Sequence, residues 1–390
     1  MTGLLYDPNR LAAALSEAGL DALVATTAAN VRYLTRFGKP GRSVAVVRRD
    51  DPARPILLAP AAELDYLIED LAPGLAHHAW GDFFREEETG AHLDEVQLLV
   101  ASAHRNRRPE LDRTAMIATA ATDLGLQGAK IGLDVAPANE PTLTEALRDH
   151  EVCEASAVLP RLRMRKTELE VARLQEAARI AESAILATVA IATPGVTQAE
   201  LATEYRVAVA REGGLLRVDS VSVGTATVFG NANLPDSVLT PGDILRFDVG
   251  AIYAGYQSDL SRCFTLGEPS DKSRRYANAV IAGQSAALEL LRPGVRTADV
   301  FAAAVAETRR AGIPHYDRTH VGHGIGLVGG YDAPLLAPGD PHVIQEGMVL
   351  CVETPYYEFG FGGVQIEDMV VVTDGGWRAL SRLPRTFETL

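Results

Sequence analysis

Short apolar runs alternate with helical patterns over roughly the first third of the chain. Asp7 and Pro8 favour a helix start, because Asp suits an N-cap and Pro suits the first helical turn, and Gly19 favours its end. Apolar segments at 21–26, 43–47, 55–60 and 130–135 are typical of buried strands. Strands that alternate with helices predict a small α/β domain. We place this domain at residues 1–158.

The pattern changes after the basic connector at 161–166. Residues 167–170 and 197–200 each place a Thr three positions before a Glu, the capping box that opens a helix. The two helices are predicted to run towards Ile191 and to end at Gly213. Glycine-rich strands and hairpins follow them.

The second domain, predicted at 159–390, contains an internal repeat. Residues 194–201 resemble 293–300, and residues 242–248 resemble 347–353. The offsets are nearly constant, since 293 − 194 = 99 and 347 − 242 = 105. Two similar halves, each made of two helices and strands, are therefore expected to pack around a pseudo-two-fold axis. A site at their join would draw equivalent residues from both halves.

Four acidic side chains stand in the predicted strands of this domain. Asp248 and Asp259 are equally far from the middle of a predicted turn, and Glu353 and Glu367 are each seven residues from Gly360. In an antiparallel hairpin such residues face each other, with Cβ atoms roughly 5 Å apart. We therefore expect two facing carboxylate pairs.

Facing carboxylates among Val, Ile, Leu and Phe are hard to explain structurally, because like charges repel and burial strengthens the repulsion. A solvated charged face is the alternative interpretation, but the neighbouring residues are too apolar for it. Two divalent cations would balance four carboxylates, and such oxygen-rich ligation suits manganese, iron, cobalt or zinc.

A histidine offers a fifth ligand. His323 lies between two glycines, which let the backbone approach a site without obstruction by side chains. A structural histidine in the core is the alternative, and the four acids favour the ligand. His320 is a candidate catalytic residue, for which a substrate-facing role and a structural role both stay open.

Composition and charge narrow the class of protein. The net charge of −14 argues against partners that need a basic surface, namely nucleic acids and anionic membranes. We expect no transmembrane helix, because no apolar run is long enough, and no signal peptide at the N-terminus. Three widely spaced cysteines fit a reducing compartment. These features predict a soluble cytoplasmic protein.

The five candidate ligands, with their order, spacing and contexts, resemble those of the pita-bread-fold metallopeptidases, the group that includes methionine aminopeptidase, aminopeptidase P, prolidase and the metal-free creatinase. The resemblance covers most of the chain: residues 11–37 resemble the N-terminal domain of the prolidase and creatinase branch, and the segments around 247–259, 322–326 and 366–368 resemble the catalytic domain. It implies an α/β (α+β) fold, with a creatinase-like N-terminal domain before a pita-bread domain.

The same resemblance implies a site and a chemistry. The ligand set would be Asp248, the bridging Asp259 and Glu367, His323 and Glu353, around two divalent ions, manganese first. Bound water between two cations becomes a hydroxide nucleophile near neutral pH. Glu353 would pass the proton of that water on as general acid and base. Such proteins are commonly homodimers.

Several accessory positions depart from the peptidase pattern. Asn231 and Tyr331 stand where the peptidases usually have histidines, and Gln365 stands where an arginine is common. We assign these three residues to substrate binding. An amide does not exchange a proton near pH 7, and a phenol does so reluctantly, so Xaa-Pro specificity is in doubt.

Three functions remain. The first is hydrolysis of an amide-type C–N bond, most simply by an Xaa-Pro dipeptidase or aminopeptidase acting on a short peptide. The second is a creatinase-like hydrolase or lyase reaction on a small non-peptide metabolite. The third is a non-catalytic binding scaffold of the same fold, which the retained ligands disfavour.

Overall fold

The computed structural model describes residues 3–72, 74–230, 232–327 and 330–390. The chain divides into two compact units, Met1–Arg163 and Met164–Leu390. The division lies five residues beyond the predicted boundary at 158 (163 − 158 = 5). The reason is a short helix that belongs to the first unit: Arg163 donates to Asn30 Oδ1 at 2.8 Å, and the Leu162 carbonyl accepts from Arg10 at 3.1 Å.

The first unit is an α/β domain, as the alternating pattern predicts. Its elements are α1 (Pro8–Glu17), β1 (Ala22–Ala25), α2 (Ala28–Thr35), β2 (Val44–Arg48), β3 (Ile56–Pro60), β4 (Ala76–Trp80), α3 (Glu95–Arg105), α4 (Arg113–Asp123), β5 (Lys130–Leu133), α5 (Pro141–Ala146), β6 (Glu151–Glu154) and α6 (Val158–Arg163). The strands form one mixed sheet in the order β4-β3-β2-β1-β5-β6. Apolar side chains of this sheet pack on α4, with Ile117 fully buried.

The second unit contains the predicted repeat. Its helices are α7 (Glu168–Val189), α8 (Gln198–Arg211), α9 (Asp271–Leu290) and α10 (Thr297–Ala311). Its strands are β7 (Leu215–Val223), β8 (Ile244–Tyr253), β9 (Tyr256–Gln257), β10 (Leu260–Thr265), β11 (Gly322–Gly324), β12 (Asp332–Leu335), β13 (Val349–Glu353), β14 (Tyr356–Glu358), β15 (Gly362–Val364), β16 (Glu367–Thr373), β17 (Gly376–Ala379) and β18 (Glu388–Thr389). Both predicted capping boxes are present, at Thr167 and Thr197.

The strand order shows how the halves meet. The main path of the large sheet is β12-β11-β13-β16-β10-β8-β7, with β10 and β16 paired at the centre. From that pair outwards, β8 and β7 of the first half match β13 and β11 of the second. Each half also supplies one helix pair, α7 with α8 and α9 with α10. The duplicated order of elements confirms the repeat read from the sequence.

The two predicted carboxylate pairs differ in their outcome. Glu353 lies directly opposite Glu367 in the β13–β16 ladder, as predicted. The predicted partnership of Asp248 with Asp259 is wrong, because Asp248 lies opposite Ser261. The chain turns at Ala254 and Gly255, both with positive φ, as a two-residue hairpin turn requires. The centre of that turn is one residue later than predicted, which shifts the register by two and keeps the side chains on their predicted face.

Within the described residues, no helix combines the length and the apolar character needed to cross a bilayer. The three cysteines, Cys153, Cys263 and Cys351, are all free thiols.

Candidate metal centre

One cavity of about 270 Å³ in the second unit brings together nearly all the residues singled out in the sequence. It is lined by Arg217, Val218, Gly230, Asp248, Asp259, Arg318, His320, His323, Tyr331, Glu353, Tyr357, Gln365 and Glu367. Asn231, a predicted substrate-binding residue, lies outside the described residues. The first half of the repeat supplies Asp248 and Asp259, and the second half supplies the other acids and both histidines.

Three electron-rich atoms converge within this cavity. His323 Nε2 lies 3.6 Å from Asp259 Oδ2 and 3.7 Å from Glu367 Oε1. The other ring nitrogen, Nδ1, lies 3.2 Å from the Gly324 carbonyl oxygen. Because a carbonyl oxygen can only accept a hydrogen bond, Nδ1 carries the proton and Nε2 presents its lone pair to the cavity. Glu367 Oε1 is buried, and none of the described residues offers it a hydrogen bond.

This arrangement fits a divalent cation. Ligand atoms about 2.0–2.2 Å from a tetrahedral ion are about 3.3–3.6 Å from each other, close to the observed separations. A buried carboxylate oxygen with no donor is costly unless something positive faces it. We therefore assign His323, Asp259 and Glu367 as the residues that would hold a metal ion.

Cys351 belongs to the same cluster and was not singled out in the sequence. Its Sγ lies within 4.8 Å of donor atoms of Asp259, His323 and Glu367, and Cys351 faces His323 in the β11–β13 ladder. Burial raises the pKa of this thiol well above its usual value. A single cysteine among apolar residues reads as core packing in a sequence. The one signal in the sequence was its position two residues before Glu353, because alternate residues of a strand point to the same face.

The other two predicted ligands, Asp248 and Glu353, have different neighbours. Asp248 Oδ2 lies 3.3 Å from Arg246 Nη1, and Glu353 Oε2 accepts from Gln365 Nε2 at 3.2 Å. Glu353 Oε1 lies 3.6 Å from Arg318. Burial raises the pKa of Glu353 to about 8, which Arg318 only partly offsets. This carboxyl is therefore suited to exchange a proton near neutral pH.

Three arginines around the acids were missed in the sequence. Arg217 Nη1 lies 2.7 Å from Asp259 Oδ1, Arg246 pairs with Asp248, and Arg318 pairs with Glu353. Arg246 could have been found most easily in the sequence, because an arginine within an apolar strand is expected to be buried and then needs an acidic partner. It is fully buried and also donates to Gln365 Oε1 at 2.7 Å.

The remaining predicted residues contact the ligands. Tyr331 stacks on His323, with ring centroids 3.7 Å apart and an angle of 24° between the planes. Burial raises the pKa of the Tyr331 phenol to about 12. His320 Nδ1 lies 3.6 Å from Glu353 Oε1. Gln365 is buried and joins Glu353 to Arg246.

Two family models match the chain. Residues 172–374 match metallopeptidase family M24, and residues 9–165 match the creatinase/prolidase N-terminal domain. The first match alone spans more than half of the chain. The chain belongs to metallopeptidase family M24. This membership confirms the resemblance, the two-part fold and the assignment as a metal-dependent hydrolase.

Relatives and solved structures of the M24 family extend the comparison. An Xaa-Pro dipeptidase of Pyrococcus furiosus is 29% identical over 58% of this chain and 66% of its own length. A solved Xaa-Pro dipeptidase from Bacillus anthracis has 26% identity and a TM-score of 0.80, covering 98% of this chain and 99% of its own. A solved dipeptidase PepE from Mycobacterium ulcerans has 28% identity and a TM-score of 0.75, covering 98% and 96%.

Proposed function

We propose that this M24 protein hydrolyses the amide C–N bond of a dipeptide-sized substrate, with Xaa-Pro dipeptides as the first candidates. The observation that carries the proposal is the convergence of His323 Nε2, Asp259 Oδ2 and Glu367 Oε1 on one point of a cavity of about 270 Å³. The size of that cavity suits two amino acid residues rather than a protein chain. The names of the relatives and neighbours support the same substrate class.

The residues of the cavity have distinct roles in this reaction. A divalent ion held by the three donors would supply an activated water and polarise the scissile carbonyl. Glu353 accepts the proton of the attacking water and delivers it to the leaving nitrogen. Gln365 orients Glu353 through its amide, and Arg246 holds Gln365 in place.

His320 and Tyr331 face the same cavity as Glu353. His320 lies beside Glu353, where it can exchange a proton with the leaving group. Burial lowers the pKa of His320, so its imidazole is neutral at pH 7. Tyr331 donates a hydrogen bond to the substrate through its phenol, which stays protonated at this pH. Asn231 is proposed as a further substrate contact on the sequence pattern alone.

A second candidate substrate is a small amide that is not a peptide. Arginine side chains line the cavity beside the carboxylates. Tyr331 stands where the peptidases usually have a histidine, and Gln365 stands where they commonly have an arginine. Hydrogen bonding survives these replacements, whereas proton transfer near neutral pH is impaired. This pattern favours a compact substrate that hydrogen-bonds to a phenol and an amide.

Metal identity, assembly and location complete the proposal. Manganese is the first candidate because two acids, Asp259 and Glu367, offer oxygen ligands, and cobalt, iron or zinc are alternatives that the nearby thiol favours. A homodimer and a cytoplasmic location are proposed from the family resemblance and the free cysteines.

The experiment is a substrate screen with metal control. The purified protein is stripped with a chelator, reloaded with Mn²⁺ or Zn²⁺, and assayed for amine release from Xaa-Pro dipeptides, Xaa-Ala dipeptides, and linear and cyclic amides. We expect turnover of one class in the loaded protein only. Glu353→Gln should lower kcat by about 10²–10⁴, whereas Glu358→Gln, outside the cavity, should not. Unchanged hydrolysis by the metal-free protein would refute the metal-dependent mechanism.

A further inference from the structure

Arg217 holds an unusual position beside the candidate metal centre. It lies in a β-bulge of β7, where the register against β8 shifts between Leu216 and Val218. Arg217 is therefore not paired with a residue of β8 in the ladder. Its side chain is only 15% exposed. The guanidinium is anchored twice, by Asp259 Oδ1 at 2.7 Å from Nη1 and by Gln257 Oε1 at 3.1 Å from Nε. The bulge thus fixes a positive charge at the wall of the cavity.

Asp259 divides its two oxygens between this arginine and the metal donors. Oδ2 faces His323 Nε2 at 3.6 Å, whereas Oδ1 accepts the charge-assisted hydrogen bond from Arg217. The family resemblance assigns Asp259 as a bridge, which needs one oxygen for each of two ions. With Oδ1 bound to a guanidinium, Asp259 has one oxygen left to offer.

Charge leads to the same result. The cavity carries the four carboxylates of Asp248, Asp259, Glu353 and Glu367, and their partners Arg217, Arg246 and Arg318 are three guanidiniums. Even with all four carboxylates ionised, the sum is −4 + 3 = −1 before any ion binds, and a proton on Glu353 makes it less negative. One divalent ion makes the sum +1, and two make it +3. Excess charge of one sign in a buried site is costly, so the structure favours the single ion.

We propose that this centre binds one divalent ion, held by His323, Asp259 and Glu367, and that the Arg217 guanidinium replaces the second ion that the sequence pattern predicts. The inference rests on the proposed metal-dependent function and changes the number of ions within it. Arg217 is a positioning residue in this scheme: it fixes the Asp259 carboxylate and supplies the positive charge on that side of the cavity.

The test counts ions rather than turnover. The metal-free protein is titrated with Mn²⁺ by calorimetry, the dialysed product is analysed for metal content, and its electron paramagnetic resonance spectrum is recorded. We expect one equivalent per chain and the hyperfine pattern of an isolated Mn²⁺ ion. Two equivalents of comparable affinity with the spectrum of an exchange-coupled pair would overturn the proposal, and this result needs no variant.

Substitution of Arg217 should open the second position. In Arg217→Met the Asp259 Oδ1 is released and the sum of charges falls by one, so a second Mn²⁺ should bind at least about tenfold more tightly than to the parent, the scale of one close charge pair. Arg206→Gln is the matched control, because Arg206 pairs with Asp219 and does not line the cavity. A folded Arg217→Met protein that still takes only one ion would show that Arg217 does not replace an ion.

Failure of the inference is distinguishable from failure of the function. Two ions in an active parent overturn the inference and leave the hydrolase proposal intact. No ion in the parent at any Mn²⁺ concentration tested overturns both.

Discussion

Tyr331 shows how a single side chain in this cavity couples to the metal donors. Its ring lies parallel to the His323 imidazole at 3.7 Å, yet 57% of the residue is exposed. The ring therefore restrains the rotation of His323 from one face, while the phenol is available to a ligand. Restraint of a metal ligand by its neighbours typically changes metal affinity by about 10–100-fold.

Two substitutions separate the ring of Tyr331 from its hydroxyl. Tyr331→Ala removes the stacking and should weaken Mn²⁺ binding by about 10–100-fold. Tyr331→Phe keeps the stacking, so we expect parental Mn²⁺ affinity and a raised KM for the substrate. Calorimetric titration and steady-state kinetics measure the two effects. If Phe weakens metal binding as much as Ala does, the hydroxyl and not the stacked ring supports His323.

The glycines around His323 illustrate what residue types alone can predict. The sequence predicts that these glycines let the backbone approach the site. In the structure they let neighbouring strands approach β11: a Cβ at Gly322 would collide with the Cys351 carbonyl, and one at Gly324 with the carbonyls of Asp332 and Ala333. The partner of Arg217 was not predictable in this way. An arginine side chain reaches far, and only the bulge in β7 aims it at Asp259.

At the scale of elements, strand register was predictable in one half of the repeat and not in the other. Around Gly360 the prediction of facing glutamates is confirmed, because β14 and β15 continue the symmetry about that glycine. In the first half, Ala254 adopts a positive φ that an alanine side chain does not favour. An alanine in the sequence therefore gives no signal that a turn begins there. A sequence reading therefore placed the turn at the wrong residue, although the periodicity of two kept Asp248 and Asp259 on one face.

Helices α9 and α10 pack closely at Gly283. A Cβ at this position would collide with Thr308 Oγ1 and lie 3.0 Å from the Ala304 carbonyl. Thr308 cannot easily turn away, because its hydroxyl donates to that carbonyl at 2.8 Å. The close approach of this helix pair therefore depends on the absence of a side chain.

Gly283→Ala should lower the free energy of unfolding by about 1–3 kcal/mol, because overpacking outweighs the better helix propensity of Ala. Chemical denaturation measures the change. Gly375→Ala is the control, since no atom of the described part of the chain lies within 4 Å of its added Cβ, and it should stay within about 0.5 kcal/mol of the parent. Adding Thr308→Ala to Gly283→Ala should recover part of the loss. Equal stability of Gly283→Ala and the parent would mean that the helices move apart freely.

At the scale of the whole molecule, the duplicated halves explain where the metal donors come from. Asp259 belongs to the first half, Glu367 and His323 to the second, and β10 pairs with β16 where the halves join. A cavity at this join therefore collects acids that are far apart in sequence. The repeat in the sequence predicted this arrangement, because equivalent segments recur about a hundred residues apart.

Metal binding at this join should stabilise the whole second unit, Met164–Leu390. An ion that binds only the folded state at a free concentration of 100 times its Kd adds about 2.7 kcal/mol to the free energy of unfolding. For a unit of 227 residues (390 − 163 = 227) this corresponds to a rise in Tm of about 5–10 °C. Calorimetric scans of the chelated and Mn²⁺-loaded protein measure the rise.

The same scans on two histidine variants test where the stabilisation originates. His323→Ala removes the nitrogen donor, so Mn²⁺ should raise its Tm little or not at all. His92→Ala changes an exposed histidine in the first unit and should respond to Mn²⁺ as the parent does. Without His323, the proposed site keeps only the carboxylate oxygens of Asp259 and Glu367 and should bind the ion more weakly. A full Mn²⁺ response in His323→Ala would therefore show that the ion binds elsewhere in the chain.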